Sequence, residues 1–183
     1  ISYPPILPLQ ILLINLLSDF PMISIATDSV DREDIRYPQQ YHVREIALQA
    51  TVLGGVSTFF DFLYFGIFVT HGAGPLQTNW FIGSILTELA VLYSIRTRGP
   101  FWKAVRPAPL IIWLTILAAI VTVTLPYTAF GQRVFHFVAP TIGQLMLTLG
   151  IVVVYVATSE TVKLLYNRWR DQARERKLAP RTA

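Results

Sequence analysis

The chain has 183 residues, of which 53% are hydrophobic and 14% are charged, and its mean hydropathy is +0.49. These values lie outside the composition of ordinary soluble domains and predict a membrane protein. Cysteine is absent, which excludes disulfide frameworks and thiolate metal sites. The formal net charge of +4 does not indicate nucleic-acid binding, because the basic residues are distributed as membrane topology requires.

Five stretches are apolar for the roughly 20 residues that a helix needs to cross about 30 Å of hydrocarbon. They predict an all-α, polytopic bundle whose spans are residues 6–26, 46–70, 77–95, 108–127 and 139–162, followed by a basic tail at 163–183. In the second span, Gly54 and Gly55 are small enough for a close helix approach, and we expect packing there. Since the first residue is Ile1 and no signal peptide precedes the first span, we expect the chain to be part of a longer protein.

The loops on the two sides of the predicted bundle differ in charge. Every one of the fifteen Lys and Arg residues except Arg133 falls after the first span, after the third span or beyond the last span. Because cytoplasmic loops of membrane proteins are enriched in Lys and Arg, we expect this side to be cytoplasmic. The N-terminal end is then extracytoplasmic and the C-terminus cytoplasmic, in a multi-pass protein of the inner membrane.

The stretch "LLINLLSDFPMISIATD", from Leu12 to Asp28 in and just after the first span, carries polar residues at membrane depth. Asn15, Ser18 and Asp19 are three and four residues apart, so they share one helical face. Pro21 cannot donate to the carbonyl of Leu17 and disfavours helix at the preceding residue, which predicts a locally opened helix. In transporters such an opened turn commonly lines a cavity and coordinates an ion.

The oxygen-only character of this face indicates a hard cation such as Mg²⁺, Ca²⁺, Na⁺ or K⁺. Soft-metal transport is disfavoured, because the histidines lie in loops or at their edges and the two methionines are isolated. These residues are His42, His71, His136, Met22 and Met146. The alternative interpretation is that Asn15 and Asp19 bond to a neighbouring helix and that Pro21 is a plain kink.

Three further acidic residues lie within the predicted spans, where a mid-helix carboxylate costs about 2.5–3.5 kcal/mol. Glu88 is the next candidate cation ligand, with a protonated interhelical hydrogen bond as the alternative. Asp61 is expected to be structural or to line a pathway rather than to bind the cation. Glu160 lies one turn from Lys163, and we expect the two to pair.

The segment "PLQILLINLLSDFPMISIATDSVDRED" resembles the sixth transmembrane helix and following cytoplasmic loop of P-type cation-transporting ATPases, which carry a proline-rich turn, an "N-L-x-x-D" core and a later acidic stretch. Within that family, "STFFDFLYF" and "NWFIGSILTELAVLYSIRTRGPF" are similar to the bacterial magnesium-transporting branch. The resemblance covers essentially the whole chain and implies the last five of ten membrane helices. It also implies Asn15, Ser18 and Asp19 as sixth-helix cation ligands and Glu88 as an eighth-helix acidic contributor.

The resemblance further implies an ATP-driven translocase with Mg²⁺ as the transported ion and, in the full enzyme, as the partner of ATP. The sequence holds no "DKTGT" phosphorylation motif and no nucleotide-binding domain, so we expect the N-terminal helices and cytoplasmic domains of the same protein to be its partners, with lipid around it. Two alternatives stay open: a pump for Ca²⁺ or another cation, and a non-catalytic membrane subunit whose polar residues join helices. A secondary transporter is disfavoured, because no second span repeats the pattern of the first.

Overall fold

The computed structural model describes residues 3–28, 43–97 and 99–178. Every regular element within these ranges is helical, which confirms the all-α prediction. The six α-helices are α1 (Pro8–Ile23), α2 (Val43–Phe68), α3 (Ala73–Ile95), α4 (Pro109–Thr124), α5 (Ala129–Phe135) and α6 (Ile142–Leu178). Short 3₁₀ segments extend α1, α2 and α4, and a fourth lies in the connection between α3 and α4.

Four segments of the described chain are long and apolar enough to cross a membrane. They are Pro8–Thr27, Ala47–His71, Pro109–Tyr127 and Ile142–Arg170, and they overlap four of the five predicted spans. The remaining predicted span, 77–95, lies within α3, which is helical but falls outside this apolar set. The chain is therefore a multi-pass membrane protein in which four segments are candidate spans by length and composition.

Helix α3 lies at the centre of the bundle. It packs against α1, α2, α4 and α6, and eleven of its 23 residues are buried. In the four candidate spans, only 17–22% of the most apolar stretch is buried inside the protein. A helix enclosed by other helices can carry polar side chains, because they face protein rather than lipid. This position explains why α3 is less apolar than its neighbours.

The contacts between α3 and α6 show that the two helices run in the same direction. Near their beginnings, the Thr148 hydroxyl donates to the Asn79 side-chain oxygen at 3.0 Å. Near the C-terminal end of α3, the Ser94 hydroxyl donates to the Glu160 carboxylate at 2.6 Å. Residue numbers increase together along both helices, so α3 lies beside α6 over most of its length.

A close approach of α2 and α3 depends on Gly83. A Cβ atom at this position would lie 2.3 Å from Cζ of Tyr64, and the Tyr64 hydroxyl is held by donating to the carbonyl of Thr148 at 3.1 Å. The packing expected at Gly54 and Gly55 stays a prediction, because a Cβ at either position would meet no described residue within 4 Å. Both glycines lie on an exposed side of α2 that no described helix covers.

Candidate cation site

The N-terminal end of α1 is fixed by a buried glutamine. The backbone N–H of Leu7, just before the helix, donates to the Gln10 side-chain oxygen at 3.0 Å, and Pro8 occupies the first helical position, where its missing N–H costs nothing. The Gln10 amide in turn donates to the carbonyl of Phe135 at 2.9 Å. These bonds set the position of α1 against α5.

The helix is not opened at Pro21, so that part of the sequence prediction is wrong. Helix α1 continues through Pro21 to Ile23 and then tightens into a 3₁₀ segment. A proline removes one hydrogen bond of the helix ladder but leaves the neighbouring bonds in place. The Ser24 hydroxyl donates to the carbonyl of Pro21 at 2.6 Å, which satisfies one carbonyl close to the end of the helix.

The three predicted ligands on α1 differ in their surroundings. Ser18 is buried, and its hydroxyl donates to the carbonyl of Ile14 at 3.1 Å. Asn15 and Asp19, by contrast, are both exposed, and neither side chain forms a hydrogen bond or ion pair with a described residue. The polar face of α1 thus begins inside the bundle at Ser18 and continues onto a surface that the described helices leave open.

Glu88 of α3 joins this face from the neighbouring helix. Its half-buried carboxyl lies near the Ser18 hydroxyl, which itself donates within α1 to the carbonyl of Ile14, and near enough to Asp19 for the two acidic groups to interact electrostatically. The structure therefore brings together Ser18, Asp19 and Glu88, which are far apart in sequence. Asn15 lies one helical turn from Asp19 on the open side of α1.

This arrangement can supply only part of a cation's coordination shell. Its side chains offer carboxylate, amide and hydroxyl oxygens, whereas Mg²⁺ takes an octahedral set and Ca²⁺ takes six to eight oxygens. In the part of the chain that the structure describes, no three His, Cys, Asp or Glu residues are grouped as a metal site. The remaining oxygens would have to come from water or from elsewhere in the protein.

Two buried carboxylates fix the end of α3 nearest the basic loop, and the first of them was missed by sequence reasoning. The Asp28 carboxylate pairs with Arg96 and also accepts the backbone N–H of Ala108 at 3.0 Å. It therefore connects the end of α1 to the end of α3 and to the beginning of α4. Opposite charges at the ends of the first and third predicted spans were the available signal for this contact.

The second carboxylate belongs to the predicted pair of Glu160 and Lys163, which is confirmed at 2.9 Å. Glu160 also accepts the Ser94 hydroxyl at 2.6 Å and the backbone N–H of Phe101 at 3.0 Å. The Lys163 ammonium donates to the carbonyls of Ser94 and Gly99 at 2.8 and 3.0 Å. This network holds the loop after α3 against α6.

Asp61 lies away from the polar face of α1. Its carboxylate accepts the indole N–H of Trp80 at 3.0 Å, and both residues line a groove of about 290 Å³ together with Thr58, Phe62 and Phe65. The bond to Trp80 gives Asp61 a contact between α2 and α3. Its assignment as a structural or pathway-lining residue stays a prediction.

Several predicted features lie outside the described residues. The loop at 29–42, with Arg32, Arg36 and His42, is one of them, and Arg98 and the last residues of the basic tail, 179–183, are others. His71 and His136 are described and exposed, at the loop edges where the sequence predicts them.

Comparison with known proteins shows the family to which these features belong. Residues 3–165 match the family described as "Cation transporting ATPase, C-terminus". The chain is 30% identical over 176 residues to magnesium-transporting ATPase, P-type 1, of Salmonella typhimurium, and 29% identical over 176 residues to the Escherichia coli K12 protein of the same name. Each of these alignments covers 92% of this chain and 19% of the relative.

A putative cation-transporting ATPase of Methanocaldococcus jannaschii is 33% identical over 112 residues, which is 60% of this chain and 14% of the relative. The chain thus spans about a fifth of the length of the curated relatives that it matches over most of its own length. Because the family match covers nearly the whole sequence, the chain belongs to the P-type cation-transporting ATPase family, in its C-terminal membrane region.

Proposed function

We propose that this chain is the C-terminal membrane part of an ATP-driven pump that moves a hard cation across the cytoplasmic membrane. Mg²⁺ is the first candidate, since relatives in Salmonella typhimurium and Escherichia coli are named magnesium-transporting ATPases. Asn15, Ser18, Asp19 and Glu88 are its contribution to the cation site. The chemistry of these side chains supports the assignment, because hard cations prefer oxygen ligands.

The observation that carries this proposal is the exposure of Asn15 and Asp19 in the middle of a membrane helix. Asp19 is nine residues before Asp28, so it lies about 14 Å along α1 from the contacts at its end, which is about half the thickness of the hydrocarbon. A carboxylate facing lipid at that depth is costly. We infer that other helices of the full-length protein cover this face and complete the site.

Geometry supports α3 as a fifth span. Its 23 residues make about 35 Å of helix, and its contacts with α6 extend from Asn79 to Ser94. Since α6 is a candidate span and α3 runs beside it in the same direction, α3 crosses the same layer. Five spans place the two ends of the chain on opposite sides, as in the last five helices of a ten-helix pump.

The distribution of charge supports a cytoplasmic position for the Asp28 and Glu160 contacts. They lie at the level of the loop that carries Lys103 and Arg106, whereas the opposite loop carries Arg133. By the positive-inside rule, the N-terminal end of the chain is extracytoplasmic and the C-terminus cytoplasmic. ATP hydrolysis is assigned to the rest of the full-length protein, which would hold the phosphorylated aspartate.

A non-catalytic membrane subunit is the second candidate function. Bonds between helices favour it, such as Asn79 with Thr148 and the 2.8 Å contact between the hydroxyls of Ser57 and Tyr155. These bonds account for polar residues inside the bundle but not for the exposed Asp19. A pump for Ca²⁺ or another cation uses the same oxygen ligands and differs from a Mg²⁺ pump in ligand number and cavity rigidity.

The first test is the reading frame upstream of Ile1. We expect it to encode a phosphorylation aspartate within "DKTGT" in the same protein, several hundred residues earlier, because a catalytic portion of a few domains of about 100–200 residues must fit between them. A stop codon directly upstream of Ile1 would favour the subunit instead.

The second test substitutes Asp19→Asn in the full-length protein. We expect loss of cation-stimulated phosphoenzyme turnover with normal membrane insertion, because the substitution removes the charge from the site but keeps the shape of the side chain. Asp61→Asn is the matched control, since it removes another intramembrane carboxylate that lies away from the site. Wild-type stimulation in Asp19→Asn would remove Asp19 from the site, and comparing Mg²⁺ with Ca²⁺ in the same assay identifies the cation.

A further inference from the structure

Gln10 is a buried amide that joins the beginning of α1 to the end of α5. None of the residue is exposed. Its oxygen accepts the N–H of Leu7 at 3.0 Å, and its nitrogen donates to the carbonyl of Phe135 at 2.9 Å. A buried amide is unfavourable unless its hydrogen bonds are made, so the structure favours positions of α1 in which Gln10 keeps both partners.

A second buried contact holds the other end of α1. Asp28, which follows the helix and its 3₁₀ extension, pairs with Arg96 at the end of α3 and accepts the N–H of Ala108 just before α4. The Asp28 and Arg96 side chains are 9% and 7% exposed. Helix α1 is therefore fixed to α5 at its beginning and to α3 and α4 at its end, and it cannot rotate about its axis without breaking one of these contacts.

The rotation of α1 determines which of its side chains face the bundle. Each residue turns an α-helix by about 100°, so Ile14 and Leu17 lie within about 40° of Gln10. Both pack against a buried cluster that contains residues of α3 and α4. Asp19 lies about 180° from Gln10 and is exposed. Gln10 therefore marks the centre of the buried face of α1, and Asp19 marks the opposite side.

Ser18 lies at the edge of this buried face, about 80° from Gln10. It is 2% exposed, and Glu88 lies near its hydroxyl. A rotation of α1 by about 40° would move its Cα atoms by about 1.6 Å, because they lie about 2.3 Å from the helix axis. Binding groups have to be held within about 0.5 Å of their productive positions. The relation between Ser18 and Glu88 is thus sensitive to the rotation that the contacts at the two ends of α1 fix.

We propose that Gln10 and Asp28 are positioning residues of the cation site, which fix the rotation of α1 so that Ser18 is held beside Glu88. This inference rests on the proposed function and extends it to two residues that lie about 12–15 Å along α1 from Ser18. Neither side chain contacts the cation, because both are bonded to other parts of the protein. Their effect acts through Ser18 and falls on cation affinity, whereas the maximal rate is retained.

The test uses the full-length protein in proteoliposomes and measures ATP-driven Mg²⁺ movement at constant ATP. Gln10→Met keeps the length of the side chain and removes both of its hydrogen bonds, and Asp28→Asn removes the charge at the other end of α1. Ser57→Ala is the matched control, since it removes a 2.8 Å hydrogen bond to Tyr155 between α2 and α6, which carry none of the proposed ligands. The readouts are the half-saturating Mg²⁺ concentration, the maximal rate and the thermal midpoint of each protein.

We expect Gln10→Met and Asp28→Asn each to raise the half-saturating Mg²⁺ concentration about three- to tenfold, up to the size of one hydrogen bond. Their maximal rates should stay within about twofold of the wild type, and Ser57→Ala should stay within about twofold in both quantities. All three variants should have lower thermal midpoints, because each loses a hydrogen bond or an ion pair inside the bundle. The control therefore separates a loss of affinity from a loss of stability.

A double variant distinguishes positioning from a merely structural role. If Gln10 acts through Ser18, the protein with both Gln10→Met and Ser18→Ala should have a half-saturating Mg²⁺ concentration within about twofold of the weaker-binding single variant, because changes that act through one contact are not additive. Independent effects would instead multiply.

Three results would overturn the inference while leaving the proposed function in place. The first is wild-type Mg²⁺ dependence in Gln10→Met or in Asp28→Asn, and one folded variant is enough for this comparison. The second is an equal shift in Ser57→Ala, which would assign the effect to general destabilisation. The third is a double variant in which the effects of Gln10→Met and Ser18→Ala multiply. A wild-type protein that moves no Mg²⁺ with ATP contradicts the proposed function itself, and this inference falls with it.

Discussion

The buried network around Glu160 and Lys163 allows a quantitative prediction about stability. The two side chains are 4% and 0% exposed, and they lie 2.9 Å apart. Lys163→Met keeps the length of the side chain but leaves the Glu160 carboxylate buried without its counter-charge. Removing one partner of a buried ion pair costs about 3–5 kcal/mol, and we expect a loss of this size.

Glu160→Gln should have a similar effect, because it leaves the ammonium of Lys163 with only the carbonyls of Ser94 and Gly99. The double variant leaves no unpaired charge. We therefore expect it to be less destabilised than the sum of the two single variants, with a coupling energy within the 0.5–3 kcal/mol range of interacting neighbours.

The assay is thermal unfolding of the full-length protein in detergent, followed by the loss of monodisperse protein on size-exclusion chromatography. All four proteins are compared: the wild type, the two single variants and the double variant. Single variants as stable as the wild type would refute the reasoning, and so would a double variant whose loss equals the sum. Either result would mean that water reaches the pair and screens it.

Two further predictions concern packing and the contact at the end of α1. Gly83→Ala should destabilise the bundle by about 1–3 kcal/mol, the usual cost of overpacking, because its Cβ would lie 2.3 Å from the Tyr64 ring. Gly66→Ala is the control, since its added Cβ meets nothing within 4 Å. It should leave the stability in the same thermal assay unchanged. Asp28→Asn should lower the free energy of unfolding by about 1–3 kcal/mol, since it breaks the ion pair with Arg96 but can still accept the N–H of Ala108. A variant as stable as the wild type would show that the ion pair is not needed.

Much of the fold could be predicted from hydropathy and charge, because lipid imposes a simple requirement on the helices that face it. In the four candidate spans most of the apolar stretch lies outside the described bundle, and their length and apolar composition are those that a bilayer requires. Helix α3 is different, since it is enclosed by four other helices. Some of its polar residues bond to those neighbours, as Asn79 does to Thr148 and Ser94 to Glu160. A hydropathy pattern contains no information about neighbours that are distant in sequence.

The candidate site was partly predictable for the same reason. The spacing of Asn15, Ser18 and Asp19 could be read from the sequence, because helical periodicity is a local property. Their different burial could not, since it depends on which side of α1 packs against α3: Ser18 lies on that side, whereas Asn15 and Asp19 are exposed. Glu88 was a candidate as an isolated charge in a span, but its proximity to Ser18 is a tertiary contact.

The sequence did not predict three features correctly or fully, because each depends on tertiary structure. The Pro21 prediction failed because a helix tolerates the loss of one hydrogen bond when the neighbouring bonds remain. The Gly54 and Gly55 prediction stays untested by the described helices, because small residues permit a close approach without requiring one. The pairing of Asp28 with Arg96 joins groups 68 residues apart, and its one signal in the sequence is the pair of opposite charges at the ends of two predicted spans.

The most direct test of the central claim is ATP-driven Mg²⁺ movement in proteoliposomes that contain the full-length protein, comparing the wild type with Asp19→Asn and with Asp61→Asn. If the polar face of α1 is part of the transport site, Mg²⁺ movement depends on ATP in the wild type, persists in Asp61→Asn and is lost in Asp19→Asn. Equal Mg²⁺ movement by the wild type and Asp19→Asn would contradict the account, as would a wild-type protein that moves no Mg²⁺ with ATP.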